Sequence, residues 1–212
     1  MGLSLPYNIT EHEGIGYADS RLDSATYSYR PSTGLGFVFD TNIGKKSDFS
    51  YRLNLEYSLA EIDSSSRLYY SDYKKHAYRI INTFGLSLFH NRHLRLWAGP
   101  RINLQIEHAA SSSNIRNYNS YGIGIGAALG LNLRLTEKLA LGCDIDYHGY
   151  RLFGSERYRS YDGVTIGDQD YYTLLAGSNK GATARLYFLV KFGEHYTERS
   201  PAEASSLIDP TL

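Results

Sequence analysis

Apolar and polar residues alternate one by one along most of this chain. In residues 94–107, LRLWAGPRINLQIE, the even positions hold mainly apolar side chains such as Leu96 and Ile102, whereas the odd positions are largely polar. Neighbouring side chains of a β-strand point to opposite faces, so this alternation predicts a strand with one apolar face. The segment is longer than the roughly 5–6 residues of a typical soluble strand, and it can supply the roughly 9–11 residues that cross a bilayer at a tilt. We therefore expect a transmembrane β-strand.

Seven further segments repeat the pattern and complete a set of eight predicted strands. They comprise residues 3–10, 27–40, 51–62, 76–90, 121–135, 139–152 and 182–192. Long polar loops, predicted at 11–25, 63–75, 109–119 and 153–181, alternate with short turns, as in an up-and-down barrel of an outer membrane. The apolar parity matches within each short hairpin, so no β-bulge is expected there. We expect a barrel over residues 1–192 and a flexible periplasmic tail over 193–212.

Tyrosines collect where the predicted strands meet the long loops. We assign a membrane-interface girdle to Tyr27, Tyr29, Tyr57, Tyr78, Tyr121 and Tyr147; Tyr73, Tyr118 and Tyr150 lie at the same strand ends. A tyrosine ring favours the boundary between lipid and water, where its hydroxyl stays hydrated. A band of this kind favours a membrane barrel over a soluble one.

The composition narrows the class of protein further. The 22 basic and 22 acidic residues cancel, so the chain has no bulk attraction for nucleic acid. Cys143 is the only cysteine, which excludes an intrachain disulfide and leaves no zinc-finger spacing. The first residues, MGLSLPYNIT, carry no signal-peptide pattern, so an exported form is expected to be the mature chain with an added methionine.

These features resemble the small eight-stranded outer-membrane barrels of the OmpA-like and OmpX-like type. The resemblance covers about residues 3–192, and its most specific part is the last strand, whose assembly signal would comprise Leu186, Phe188, Val190 and Phe192. It implies an all-β, antiparallel, up-and-down transmembrane barrel in the outer membrane of a Gram-negative-type bacterium. It also implies contact with outer-membrane lipid and lipopolysaccharide, and recognition by the barrel assembly machinery. The tail after Phe192 is too short for a peptidoglycan-binding domain, so no cell-wall anchoring is implied.

The polar face would line the lumen if the apolar face meets lipid. The predicted lumen charge network comprises Arg30, Arg52, Glu56, Arg79, Arg95, Arg101, Glu107, Arg134, Asp144, Asp146, Arg185 and Lys191. Buried charges need partners, and an eight-stranded barrel is only wide enough for side chains to fill it. The sequence therefore predicts a plugged scaffold that displays its loops for adhesion to an extracellular protein or glycan. A narrow ion or small-solute pore through the network is the alternative.

No catalytic, metal or cofactor site is predicted. His108, followed by serines at 111–113, invites comparison with rim-located lipid A-modifying enzymes, but no triad spacing supports one. His148 is expected to bond Asp146 inside the barrel. Three loop carboxylates, Asp162, Asp168 and Asp170, lack EF-hand spacing.

A soluble lipocalin-like barrel would place the apolar face inside and bind a ligand there. Parity alone does not distinguish this arrangement from a membrane barrel. The tyrosine band, together with the glycines and Trp97 on the polar face, favours a crowded lumen and hence the membrane version.

Overall fold

The computed structural model describes residues 1–17, 25–29, 31–41, 48–63, 73–91, 93–111, 116–160 and 169–191. Its strands are β1 (Gly2–Tyr17), β2 (Ala25–Tyr29), β3 (Ser32–Asp40), β4 (Phe49–Asp63), β5 (Tyr73–His90), β6 (Leu94–Ser111), β7 (Arg116–Arg134), β8 (Leu139–Ser160) and β9 (Gln169–Val190). The predicted residues Arg30, Asp162, Asp168 and Phe192, and the predicted tail over 193–212, lie outside the described ranges.

The strands form one closed antiparallel ring. Each strand from β3 to β9 pairs with the next, and β1 pairs with β9 to close the sheet. β2 and β3 both pair with β1 and with β4, so together they occupy a single place in the ring. The predicted eight-stranded up-and-down topology is therefore confirmed. Within the described ranges, no helix combines the length and hydropathy that a membrane crossing requires.

The strands are strongly tilted, as the register shows. A path of paired residues that starts at Arg52 on β4 runs once around the ring and returns to β4 at Ile62, ten residues from its start. The path passes through Thr83, Arg101, Gly126, His148, Gly181, Glu11 and Tyr29. Such a stagger requires tilted strands. A row of paired residues consequently climbs toward the long connections as it passes from β4 to β9.

The outer and inner faces of the barrel differ in polarity in the way that a membrane environment requires. Outward side chains are apolar and exposed; Ile125 and Leu129, for example, are 74% and 47% exposed. Inward side chains are mostly polar and buried, and Arg101 is only 1% exposed. The lone thiol of Cys143 is on the exposed face. This inverted distribution of polarity excludes the soluble lipocalin-like arrangement, whose apolar face would be buried.

Several predicted strand limits are wrong, chiefly at the loop end, by which we mean the end of the barrel that carries the long connections. Residues 11–17 pair with β9, and residues 153–160 and 169–181 continue the β8–β9 ladder, although all were predicted to be loop. Beyond the bilayer both faces of a hairpin meet water. Alternation is therefore not required there, and the backbone ladder leaves no apolar pattern in the sequence.

The expectation of bulge-free hairpins is also wrong. The β5–β6 register shifts between Ser87 and Phe89, so Leu88 and Phe89 are both exposed, at 61% and 52%. A bulge adds one residue to a strand and so reverses its parity from that point. A second shift lies between Asn8 and Thr10, where β1 pairs with β9.

Candidate functional site

The lumen near the short turns is organised around Arg52. Its guanidinium donates to Asp40 at 2.6 and 3.0 Å, to Asn132 at 3.1 Å and to Asp144 at 3.4 Å. The same group lies 4.7 Å from the ring centroid of Trp97 and 4.5 Å from that of Tyr187. Cation–π contacts of this kind are strongest where water is excluded. Arg52 is therefore held in this part of the lumen by both charge pairing and stacking.

The middle of the lumen holds two aspartates between two arginines. Arg101 donates to Asp144 at 2.6 Å and also to Asp146. Arg185 donates to Glu56 at 2.6 Å, to Asp146, and to Asp144 at 3.5 Å. Charge-assisted hydrogen bonds are worth about 1.5–3 kcal/mol each, and they compensate the desolvation of buried charges. The cluster joins strands from opposite sides of the ring and so braces the wall.

Two further groups complete this middle layer. The Tyr187 hydroxyl donates to Asp144 at 2.5 Å and accepts from the Asn54 amide at 3.0 Å. His148 Nδ1 lies 2.6 Å from Asp146 Oδ1, which is the interior pair that the sequence suggested. Asp146 is already held by two arginines, so this pair has the character of a structural contact.

The loop end of the lumen contains a second network. Arg79 donates to Gln105 at 2.7 Å and to Asn8 at 2.9 Å. Lys75 Nζ lies 2.5 Å from Glu107, which also accepts from Gln105 and, at 3.0 Å, from Ser120. Charged or hydrogen-bonded side chains thus line the short-turn end, the middle and the loop end of the described lumen.

Three of the predicted lumen residues, Arg95, Arg134 and Lys191, lie outside the carboxylate-paired networks described above. Arg95 bonds hydroxyl groups, donating to Ser87 at 2.6 Å and to Ser50 at 3.1 Å. Arg134 is half-buried and donates to the backbone of Thr136, at the short-turn end. Lys191 is exposed because it lies one residue beyond β9, so it does not line the lumen as predicted.

Sequence reasoning missed Lys75, which it placed in a loop. Lys75 has the same odd parity as Ala77 and Arg79, and that parity was the available signal. Tyr118 and Tyr150 were grouped with the girdle, but they point inward and are 5% and 3% exposed. Glycine leaves the space for the Tyr150 ring, because a methyl group on Gly124 would meet that ring.

Four of the predicted girdle tyrosines face outward, whereas the side chains of Tyr27, Tyr29 and Tyr73 lie outside the described part of the chain. Tyr57 pairs with Tyr78, and the same row continues through Ile106 and Tyr121 to Phe153. Because such a row climbs around a tilted barrel, Tyr147, six residues back along β8 from Phe153, returns to the level of Tyr57. Tyr57, Tyr78, Tyr121 and Tyr147 are 36%, 55%, 63% and 63% exposed, respectively.

A polar row lies immediately beyond these tyrosines. It consists of His76, His108, Asn119 and Ser155, which are successive pairing partners on β5 to β8. Tyr57 Oη lies 2.7 Å from His76 Nδ1, and Asn119 Oδ1 lies 2.7 Å from His108 Nδ1. In the part of the chain that the structure describes, no group of three or more His, Cys, Asp or Glu side chains could hold a metal ion.

Comparison with solved structures identifies the architecture. OprG from Pseudomonas aeruginosa superposes with a TM-score of 0.52 at 11% identity, over 90% of this chain and 96% of that chain. Neisserial surface protein A matches at 15% identity with a TM-score of 0.35, over 90% and 97% of the two chains. No protein-family model and no curated protein matches the sequence. At these identities the likeness concerns the fold alone. With its apolar exterior and charged lumen, this chain is a membrane β-barrel with the eight-stranded, antiparallel, up-and-down fold of outer-membrane proteins.

Proposed function

We propose that this protein is a plugged scaffold in the outer membrane of a Gram-negative-type bacterium, and that its hairpins bind an extracellular protein or glycan. The observation that carries the proposal is the unequal height of the hairpins. The β8–β9 ladder continues to the pair Ser160–Gln169, whereas the β4–β5 ladder ends at Ile62–Tyr73. Beyond Tyr147, β8 extends 13 residues, or about 43 Å at roughly 3.3 Å per residue. A stiff ribbon of this length suits contact with a macromolecule above the membrane.

The filled lumen supports a scaffold rather than a channel. Arg52, Arg101 and Arg185 are each within 3% of complete burial and are held by carboxylates. A hydrated ion would have to break these pairs to pass. We therefore expect no ionic current across a planar bilayer after the protein has inserted.

A narrow pore is the second candidate, and unpartnered polar atoms favour it. Glu56 Oε2, Arg101 Nε and Asn103 Oδ1 are buried and find no hydrogen-bond partner among the described residues. Buried polar atoms of this kind are commonly satisfied by internal water. Steady, ion-selective current from the purified protein would establish the pore and refute the plugged lumen.

The lipid-facing wall offers a site for the acyl chains of outer-membrane lipid or lipopolysaccharide. An apolar groove of about 820 Å³ lies on this wall, lined in part by Leu55, Tyr57, Tyr78, Ile80, Leu104 and Ile106. We assign no catalytic role to its rim. His108 bonds the amide oxygen of Asn119 rather than a carboxylate.

Trimming the long hairpin tests the scaffold proposal. Glu156 pairs with Thr173, so joining these residues through an Asn-Gly turn removes residues 157–172 and keeps the register below. The trimmed and intact barrels, in lipid nanodiscs, are compared on a glycan array and on immobilised extracellular-matrix proteins. We expect the intact barrel to bind and the trimmed one to lose at least about tenfold in affinity, equivalent to about 1.4 kcal/mol.

A second variant controls for indirect effects. Replacing residues 64–72, between β4 and β5, by a glycine–serine linker of equal length alters a different loop on the same barrel. Heat-dependent gel mobility confirms folding in each case. Equal binding by the intact and trimmed barrels would refute the assignment of the β8–β9 hairpin.

A further inference from the structure

Two histidines on neighbouring strands face each other on the outside of the barrel. His76 on β5 and His108 on β6 are direct pairing partners, two residues beyond Tyr78 and Ile106. Their ring centroids are 6.5 Å apart and the ring planes differ by 35°. Directly opposed residues have Cβ atoms about 4.5–5.5 Å apart, which brings both imidazoles within reach of one bound atom.

Hydrogen bonds occupy Nδ1 of both rings and leave Nε2 on the open side. Asn119 Oδ1 can only accept, so in the neutral form of His108 the proton is on Nδ1 and the lone pair is on Nε2. Tyr57 Oη occupies His76 Nδ1 at 2.7 Å, and because a phenol hydroxyl can donate or accept, this contact does not decide which nitrogen of His76 carries the proton. Among the described residues, no hydrogen bond engages Nε2 of either ring. Metal-binding histidines typically have this outer support, which orients the ring and raises its basicity.

We propose that His76 and His108 form a two-imidazole site for a divalent transition metal, with Cu²⁺ bound more tightly than Zn²⁺ or Ni²⁺. Imidazole nitrogens suit these ions, and the order follows their general affinity series. A Zn–N distance of about 2.0–2.1 Å requires two nitrogens within about 4 Å of each other. Binding would therefore turn the two rings toward the ion; His108 is exposed and His76 is half-buried. Water completes the coordination shell on the open side.

The surroundings of the site permit a cation. Lys74, the next outward residue on β5, is opposed by Glu61 on β4 and by Ala110 on β6. The charges of Lys74 and Glu61 offset one another. The ion would bridge two adjacent strands just beyond the tyrosines, where water is available.

The test uses the full chain produced without a polyhistidine tag and folded in detergent. Calorimetric titration with Cu²⁺, and separately with Zn²⁺, is made on the parent, His76→Gln and His108→Gln. His93→Gln is the matched control, because His93 is also exposed but lies in a short turn at the other end. We expect one tight equivalent in the parent and in His93→Gln, and its loss in either paired-histidine variant.

Two further measurements separate ligation from a structural role. Asn119→Ala removes only the outer support of His108, and we expect affinity to fall by about tenfold. Electron paramagnetic resonance of the Cu²⁺ form should show coupling to two imidazole nitrogens, reduced to one in His108→Gln. Binding that survives both His76→Gln and His108→Gln, or a parent that binds no metal at a saturable site, would overturn the proposal. Either result is independent of whether the hairpins bind a partner.

Discussion

Trp97 fills the space that the absence of a side chain at Gly130 creates. These residues are pairing partners on β6 and β7, and a methyl group added to Gly130 would collide with the six-membered ring of the indole. The Asp144 Cβ would lie only 2.9 Å from the added carbon. The indole in turn supports the Arg52 guanidinium. One glycine therefore positions the aromatic and the charged parts of the lumen.

Gly130→Ala should destabilise the barrel by about 1–3 kcal/mol, the usual cost of overpacking. Gly149→Ala is the matched control, because the nearest atom to its added methyl group is at 3.8 Å. Denaturant unfolding in detergent, followed by circular dichroism, measures both. Equal stability of the two variants would show that the indole has freedom to move away. If Gly130→Ala lowers stability less in a Trp97→Phe background, the indole ring is confirmed as the source of the clash.

Arg101→Met should lower the free energy of unfolding far more than the same change at an exposed arginine. Arg101 is buried against Asp144 and Asp146, and its removal leaves buried negative charge with fewer partners. Breaking a buried pair in this way costs about 3–5 kcal/mol. Arg151→Met, at an exposed position on β8, should cost less than about 0.5 kcal/mol. The free energy of unfolding is compared in the same lipid or detergent. A similar, small effect at both positions would indicate that the lumen is hydrated enough to screen the charges.

Leu129→Arg and Leu174→Arg test where the lipid lies. Leu129 faces outward on the part of β7 between Tyr121 and the short turn, whereas Leu174 faces outward on the projecting part of β9 and is 70% exposed. An arginine near the bilayer midplane of a barrel costs about 2–4 kcal/mol, falling to about 0–1 kcal/mol near the interface.

In lipid vesicles, only Leu129→Arg should therefore lower the free energy of unfolding. If both variants were tolerated equally, the apolar wall would not be the lipid-facing surface, and the membrane assignment would fail. The same comparison in detergent micelles, which adapt to the inserted charge, should give a smaller difference.

The sequence alone determined most of the strands and the existence of two faces. Side-chain direction has a strict period of two in a strand, so the alternation in residues 94–107 was sufficient to predict β6, and similar patterns predicted the rest of the ring. The sequence also indicated which charges share a face. It could not show that residues 11–17 or 169–181 are strand, because outside lipid nothing selects for alternation.

The tertiary structure decided which face is inside and which charges meet. Parity is the same whether the apolar side points in or out, and only closure of the ring places Arg101 inside and Ile125 outside. The contacts of Arg52 with Asp144, and of Arg185 with Glu56, join strands far apart in the chain. Tilt and a ten-residue stagger set these partners, and both are properties of the closed sheet as a whole. Local sequence therefore specifies the strands, whereas closure of the barrel specifies the lumen.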